Sequence, residues 1–486
     1  MTTLTPITFG TSGHRGIIAK SFTTDHTRAI AQALATLLHK TEASPKVGIG
    51  YDSRTGNSPT LEEGSYTKSV VDTLLDYGVS VCFCNEPTPT PVISWAIEHH
   101  NWDGGLILTA SHNPPNYNGI KFNPSDGAPA PVETTKILES LANSYLLNPP
   151  KPPAKKGTLT AISLATEFAS SMHKKLKDLL PNIDLDLQPM SIIADALHGS
   201  VAASWDALFQ EFNLMSYQIL HPDPRADFGN IEPNPTAEKA LETIRKELIK
   251  HPVSLSVAND PDGDRHVILT EKGIRLKAEE VALIILDFLQ TQNVPVGGIA
   301  TTLASSNTIA TSATHHQLSY LETSVGFKYF TPFLKKMRNS NKVGIAVESS
   351  GGFSTSFHTL EKCGFLPVIL LLLDLKTTQK SLTLRLSEIR KKYGNPCFTE
   401  RAISLTESQK NLFLADYLTW STQKIQSIWN DPIQKLNKQD GLKIQFEDNS
   451  WLLIRPSGTE PVLRVYAESA SESDNLNRIS ALESTL

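Results

Sequence analysis

Cysteine is scarce in this chain: four occur among 486 residues, Cys82, Cys84, Cys363 and Cys397. That is too few for a disulfide scaffold. Cys82 and Cys84 fall in "VSVCFC", which alternates like a strand, and two thiols alone do not make a metal site, so both are expected to pack. An excess of positive charge is also missing, with 45 Lys and Arg against 50 Asp and Glu and a net charge of −5. No basic footprint for nucleic acid or anionic lipid remains, although local positive charge could still serve a phosphorylated small molecule. The longest apolar run, "VILLLLDL" at 368–375, is far below the ~18 residues of a membrane span. The opening "MTTLTPITFG" has neither the charged n-region nor the apolar h-region of a secretory leader. These absences lead to the expectation of a cytoplasmic protein with neither a membrane nor a nucleic-acid partner. Hydrophobic residues at 40% and charged residues at 20% describe an ordinary globular chain with room for roughly three or four domains.

The first three quarters repeat one pattern three times. "KVGIGYD", a helix around 60–76, "VSVCFC", a helix at 91–99 and "GLILT" form the first pass. "SIIADAL", a helix near 201–212, a strand near 215–220, a helix near 236–250 and "VSLSVAN" form the second. "GGIATT", a helix near 306–316, "LSYLET", a helix near 327–338 and "VGIAV" form the third. Strands alternating with helices predict mostly parallel or mixed sheets with crossover helices. "NPPKPPAKKG" at 148–157 reads as a surface connector. Beyond about residue 394, "GLKIQFEDNSWLLIRPSGTEPVLRVYAES" predicts two or three antiparallel strands in an α+β domain. The expected division is 1–160, 161–274 and 275–394 as α/β domains and 395–486 as the α+β domain.

Each final strand runs into a polar loop: "ASHNPP", "DPDGDRH" or "ESSGG". Ligands of open α/β sheets bind outside the carboxyl ends of strands. In "LILTASHNPPNYNGIK", prolines stop both helix and ladder and present Ser111 on a fixed loop. A serine needs a base or a metal to act as a nucleophile. His112 is adjacent, but sequence neighbours rarely face each other and no G-x-S-x-G elbow surrounds Ser111. A phosphoserine completing a metal shell fits better.

"NDPDGDR" places Asp260, Asp262 and Asp264 at alternate positions, where three carboxylates repel unless a cation sits among them. All-oxygen ligands suit Mg²⁺, Mn²⁺ or Ca²⁺. A calcium EF-hand is the rival reading, because Glu271 falls at its twelfth position, but Arg265 stands where that loop needs glycine. A solvated acidic turn is the plain alternative. "FGTSGHRG" is a glycine-punctuated loop carrying Arg15, and "YDSR" with Arg54 is a weaker signal of the same kind. In "RPSGTEP", Arg455, Ser457, Gly458 and Thr459 offer a guanidinium, hydroxyls and a tight turn that could nest a phosphate. Glu348 and Ser350 of "ESSGG" could accept from and donate to sugar hydroxyls. The pairs His99/His100 and His315/His316 read as surface or packing residues.

Taken together and in this order, "GTSGHRG", "TASHNPPNYNGIK", "DPDGDRH", "TSVGFK", "ESSGG" and "RPSGTEP" resemble the α-D-phosphohexomutase superfamily. The resemblance implies four domains around a central cleft, three of them α/β, and a phosphoryl group carried on Ser111. It implies one Mg²⁺ per chain held by Ser111, Asp260, Asp262 and Asp264. Arg15, Lys121 and His112 would be the catalytic companions. Arg265, Lys328, Glu348, Ser350, Arg455, Ser457, Gly458 and Thr459 would bind substrate. The implied reaction interconverts glucose 1-phosphate and glucose 6-phosphate through glucose 1,6-bisphosphate, in a monomer or homodimer whose partners are small sugar phosphates. Phe327 and Gly352 stand where the dual mannose/glucose and glucosamine branches of the family it resembles often carry histidine, which points to a glucose branch. Mannose or pentose phosphates are the alternative substrates, and a metal-dependent sugar phosphatase or a non-catalytic sensor the alternative classes. Cys363 in "EKCG" departs from the family pattern.

Overall fold

A computed structural model describes residues 5–456 and 462–485, which form two units: residues 5–298 with 326–387, and residues 299–325 with 388–456 and 462–485. In the larger unit, a seven-stranded sheet runs Phe9–Gly10, Gly13–Ile17, Tyr117–Pro124, Gly104–Leu108, Lys46–Tyr51, Ser80–Cys84, Leu159–Ile162. The pairings of Lys46–Tyr51 with both neighbours are parallel, and those of Tyr117–Pro124 are antiparallel. A second sheet runs His266–Thr270, Leu255–Asn259, Ser191–Asp195, Ser216–Leu220, the first pair antiparallel and the others parallel. The strand Val343–Glu348 pairs antiparallel with Gly352–Thr355. The sheets are therefore mixed.

The antiparallel partners explain the three polar loops. Each is the connection by which a strand turns back into an antiparallel partner: Gly104–Leu108 to Tyr117–Pro124, Leu255–Asn259 to His266–Thr270, Val343–Glu348 to Gly352–Thr355. A returning strand fixes both ends of a loop, so side chains on it have little freedom.

Helices fall where the periodicity put them, with shifted starts. The first begins at Tyr66 rather than near 60, because Gly64 adopts φ +83° and the Ser65 side chain accepts from the Lys68 N–H as an N-cap. The helices Glu242–Lys250 and Thr331–Asn339 are each preceded by a 3₁₀ turn, at Glu238–Leu241 and Phe327–Phe330. The longest apolar run lies in the helix Leu366–Thr378, buried on every side from Leu366 to Leu375, as an all-round hydrophobic helix must be. Its one acid, Asp374, is neutralised by Arg385 at 2.8 Å. No helix among the described residues is long and apolar enough to cross a membrane.

The smaller unit is built on a five-stranded antiparallel sheet, ordered Cys397–Ser404, Val462–Ser469, Trp451–Pro456, Leu442–Phe446, Ile433–Asn437. It is an α+β domain with more strands than the sequence pattern suggested, because exposed Ile433–Asn437 and Cys397–Ser404 carry no continuous apolar face. Phe413, Trp420, Ile425, Trp429, Leu452 and Ile479 fill its core. Leu303 and Ala304 pack on Trp451 and Leu453, and Lys443 pairs with Glu322 at 2.6 Å.

Candidate active site

Ser111 sits on the connection between Gly104–Leu108 and Tyr117–Pro124, 1% exposed and at φ 52°, the left-handed region. For a non-glycine residue that conformation costs on the order of 1–3 kcal/mol, and the neighbourhood shows what holds it. The fully buried guanidinium of Arg54 donates to the carbonyls of Ser111 (2.5 Å), Asn113 (2.7 Å), Pro114 (2.8 Å) and Tyr117 (2.9 Å), and to Asp52 at 3.0 Å. The Ser111 N–H donates to Thr109 Oγ1 at 2.8 Å, and that hydroxyl donates to Asp52 at 2.6 Å. One buried cation thus gathers four carbonyls of the loop. The prolines alone do not set its shape, and Arg54, which looked like a minor signal in sequence, is the residue that does.

Arg15 lies opposite Gly119 in the neighbouring strand and donates to Asn113 Oδ1 at 2.7 Å. His112 Nδ1 is 3.4 Å from Ser111 Oγ, so these sequence neighbours do face each other. The left-handed turn at Ser111 brings them round. The charge of Arg265, burial and the charge of Arg15 push the His112 imidazole down to about 2, so it is neutral.

The aspartate loop closes the hairpin whose Asn259 faces His266, with Gly263 at φ +67° making the turn. Carboxylate oxygens of Asp260, Asp262 and Asp264 lie within 4.8 Å of one another, all buried. Asp260 Oδ2 accepts from Ser111 Oγ at 2.7 Å. Lys121 Nζ bridges Asp262 and Asp264, the latter at 2.6 Å, and Lys362 Nζ reaches Asp264 at 3.1 Å. Burial and the charges of Asp262 and Asp264 push the Asp260 carboxyl well above the usual carboxylate range. Burial pushes Asp264 the same way, but Lys121, Lys362 and Arg265 outweigh it and hold its carboxyl low.

Even with these lysines, Asp262 Oδ1 and Asp264 Oδ1 are buried without a hydrogen-bond partner among the described residues. Orphaned buried carboxylate oxygens, three hard acids and an adjacent serine fit a divalent cation of the Mg²⁺ kind. The EF-hand reading fails. A β-hairpin carries the acids, and Glu271 accepts instead from the Thr383 N–H at 3.2 Å.

The third hairpin meets the second. The Arg265 backbone bridges to Gly352, His266 N–H donates to the Gly351 carbonyl at 3.0 Å, and Gly364 N–H to the Gly263 carbonyl at 3.0 Å. Glu348 is buried, its carboxyl raised by burial against the opposing charges of Lys362 and Arg265, and it accepts from the Gly326 N–H at 3.1 Å. That bond ties the "TSVGFK" turn, with half-buried Lys328, to the "ESSGG" turn, where Ser350 is half-buried too. Buried Cys363 donates its N–H to the Phe353 carbonyl at 2.8 Å, so its departure from the family pattern is absorbed by ordinary packing.

Sequence reasoning missed Lys362, Glu361 and Thr90. Lys362 bridges Glu361 and Asp264, both at 3.1 Å. Thr90 donates its hydroxyl to Asp262 Oδ2 at 2.6 Å and its N–H to the Asp262 carbonyl at 2.8 Å. A charged pair in "EKCG" was the only available hint of the first two, and a threonine after "PTP" gives none. The four histidines set aside do pack: His99 stacks on Trp95 at 4.5 Å, His100 on Trp102 at 5.1 Å, and His316 bonds the Tyr393 hydroxyl at 2.6 Å beside His315. Arg455 closes the strand Trp451–Pro456, pairs with Asp440 at 3.1 Å and leaves Nε buried without a hydrogen-bond partner among the described residues. Ser457, Gly458 and Thr459 lie outside the described residues.

Known proteins match this arrangement along the whole chain. Among curated relatives, a phosphoglucomutase/phosphomannomutase of Thermococcus kodakarensis is 27% identical, covering 96% of this chain and 95% of its own. A phosphoglucosamine/phosphogalactosamine mutase of Sulfurisphaera tokodaii is 26% identical, covering 98% of each. A phosphoglucomutase/phosphomannomutase family protein from Burkholderia thailandensis superposes with a TM-score of 0.77 at 20% identity, over 97% of this chain and 96% of that one. Aspergillus fumigatus N-acetylphosphoglucosamine mutase, solved with GlcNAc-6P and magnesium, superposes with a TM-score of 0.61 at 13% identity over 98% and 94%. The family models for phosphoglucomutase/phosphomannomutase α/β/α domains I, II and III match residues 6–148, 173–273 and 277–393, and that for the C-terminal domain matches 410–484. With all four domains present and in order, the chain belongs to the phosphoglucomutase/phosphomannomutase family of phosphohexomutases, isomerases that move a phosphoryl group within a sugar phosphate.

Proposed function

We propose that this mutase interconverts glucose 1-phosphate and glucose 6-phosphate through a phosphoryl group on Ser111 and a glucose 1,6-bisphosphate that turns over within the site. The observation that carries the reading is Ser111 Oγ at 2.7 Å from Asp260, on a loop held open by Arg54. We assign the serine loop to a domain at 1–160, the aspartates to 161–274, sugar recognition to 275–394 and the distal phosphate to 395–486.

Ser111, Asp260, Asp262 and Asp264 would hold the Mg²⁺, which supplies Lewis-acid neutralisation of the moving phosphoryl group. The remaining work falls to side chains. In the first half-reaction the P–Oγ bond of Ser111 breaks as a P–O bond forms to the free sugar hydroxyl, whose proton leaves to the serine side. In the second the exchange reverses from the other end of the bisphosphate. Arg15, fixed on Asn113, presents a fork of donors to phosphoryl oxygens. Lys121, buried between Asp262 and Asp264, positions charge along the same path, and neutral His112 offers a hydrogen bond at Nδ1 beside Oγ. Arg265 and Lys328 add charge for the sugar phosphate, while Glu348 and Ser350 suit sugar hydroxyls. Arg455, with Ser457, Gly458 and Thr459, has the chemistry to grip the substrate's own phosphate. Transfer of this kind is chiefly positioning and charge stabilisation.

The glucose preference is supported where Phe327 and Gly352 meet the same lysine. Lys362 Nζ lies 5.4 Å over the Phe327 ring, and a Cβ on Gly352 would fall 2.6 Å from Lys362 Cδ and 3.1 Å from Glu348 Oε2. A side chain at position 352 would therefore crowd Lys362 and Glu348, and a histidine at 327 would replace the ring that Lys362 covers. A kcat/KM panel of hexose and pentose 1-phosphates tests this. Glucose 1-phosphate should rank first, and a higher value for mannose or glucosamine phosphate would overturn the preference.

A further inference from the structure

A second group of metal-ligating side chains lies outside the mutase site. His99 ends the helix Thr90–His99, His100 caps it, and Glu167 stands in the first turn of the helix Ala165–Leu179. One ligand atom from each falls within 4.8 Å of the other two. Glu167 Oε2 is 3.4 Å from His100 Nε2 and 3.9 Å from His99 Nε2. Zinc–nitrogen and zinc–oxygen bonds of ~2.0–2.2 Å in a tetrahedral shell put neighbouring ligands ~3.3–3.5 Å apart. The Glu167–His100 distance already matches that of neighbouring ligands on one ion, and the Glu167–His99 distance is somewhat longer.

Two further observations separate this group from chance neighbours. Both imidazoles are braced by indoles: His99 stacks on Trp95 at 4.5 Å and 23°, and His100 on Trp102 at 5.1 Å and 21°. Trp95 and Trp102 are themselves buried, so the rings hold their orientation without a ligand. His100 Nε2, the atom facing Glu167, is buried without a hydrogen-bond partner among the described residues. A buried ring nitrogen beside a carboxylate but not bonded to it is an unfilled polar position, and a cation between the two would satisfy both. A bound metal would satisfy that unmet polar atom.

We propose that His99, His100 and Glu167 form a binding site for a borderline transition-metal ion, Zn²⁺ or a similar divalent cation, that clips the helix Thr90–His99 to the helix Ala165–Leu179. Two imidazoles and one carboxylate suit zinc and disfavour Mg²⁺, which takes oxygen ligands. Partial exposure of His99 and Glu167 leaves a coordination position for water. The site is chemically distinct from the all-oxygen aspartate cluster. Because the second helix adjoins the part that carries the aspartate loop, an ion here ties the serine-bearing and aspartate-bearing parts of the larger unit together.

The test is calorimetric titration of the full-length protein with Zn²⁺ in excess Mg²⁺, run on wild type, His100→Ala and Glu167→Gln. Thermal melts with and without Zn²⁺ accompany it. Wild type should show a binding event that weakens at least about tenfold in each variant and a Zn²⁺-dependent rise in Tm that both variants lose. Co²⁺ substitution should give visible absorption of a nitrogen-ligated ion in wild type and in Asp262→Asn, but not in His100→Ala. Mutase activity of His100→Ala and Glu167→Gln in Mg²⁺ alone should match wild type, which shows that both are folded. Zn²⁺ binding that survives in His100→Ala and disappears in Asp262→Asn would place the ion at the aspartates and overturn the proposal, as would no binding in wild type.

Discussion

Arg54 donates to the carbonyl oxygen of Ser111 at 2.5 Å, and the same guanidinium holds three more carbonyls of that loop and the carboxylate of Asp52. Its ring-side face lies 5.0 Å from the Phe228 centroid, so the cation is enclosed on all sides that matter to the loop. A lysine, as a point charge on a flexible stem, cannot span those acceptors. Arg54→Lys should therefore lower kcat at least about tenfold, with KM much less affected, because the loop is misplaced rather than the sugar. Arg54→Ala, which leaves Asp52 buried and unpaired, should lose about 3–5 kcal/mol of stability by denaturant titration. Wild-type kcat in Arg54→Lys would show that the loop holds itself.

Asp262 is held by Lys121 and by the Thr90 hydroxyl at 2.6 Å, while its Oδ1 has no hydrogen-bond partner among the described residues. Chelation should stop turnover, and Mg²⁺ should restore it better than other divalent ions. Asp262→Asn should lose both rate and metal affinity. A variant with full rate and unchanged metal dependence would show that this oxygen faces no ion.

His221 offers a pH signature away from the site. A hydrogen bond with Asp195 at 2.8 Å raises its pKa above the ordinary imidazole value, against partial burial. A raised folded pKa contributes stability fully present below the unfolded value of ~6.5 and lost as pH rises through the folded value. His221→Gln should therefore lower Tm most at mildly acid pH, with the gap to wild type closing toward alkaline pH. A gap that is constant or widens with pH would remove the ion pair from the account.

Arg455 presents a buried Nε without a hydrogen-bond partner among the described residues, beside its bond to Asp440. A hydrogen bond to a charged group contributes about 1.5–3 kcal/mol, so Arg455→Ala should lose at least about tenfold in kcat/KM and release more free bisphosphate per turnover. Assaying mutase rate alongside bisphosphate leakage checks both halves. Wild-type values for both would put the anchor elsewhere.

The chemistry-bearing loops were legible because short-range constraints write them. Three acids at alternate positions and a serine between a strand and two prolines can be read without a fold. The residues that organise those loops were less legible, since their partners are far away in sequence. Arg54 and Ser111 are 57 positions apart, and Thr90 and Asp262 are 172 apart. The hairpin nature of the loops was hidden for a related reason. A returning strand such as Tyr117–Pro124 is buried on nearly its whole length and lacks the alternation of a solvated edge. In the smaller unit the outer strands Cys397–Ser404 and Ile433–Asn437 are too exposed to signal themselves.

The most direct measurement follows the phosphoryl group itself. Protein charged with isotopically labelled glucose 1,6-bisphosphate and digested should yield one labelled peptide, with the label on Ser111. Unlabelled glucose 1-phosphate added before digestion should chase that label into sugar phosphates. Ser111→Ala should take up none and should turn over no substrate while melting close to wild type, because Arg54 rather than the hydroxyl shapes the loop. Label on another residue, with activity intact in Ser111→Ala, would contradict the assignment of Ser111 as the group that is phosphorylated and hands its phosphate on.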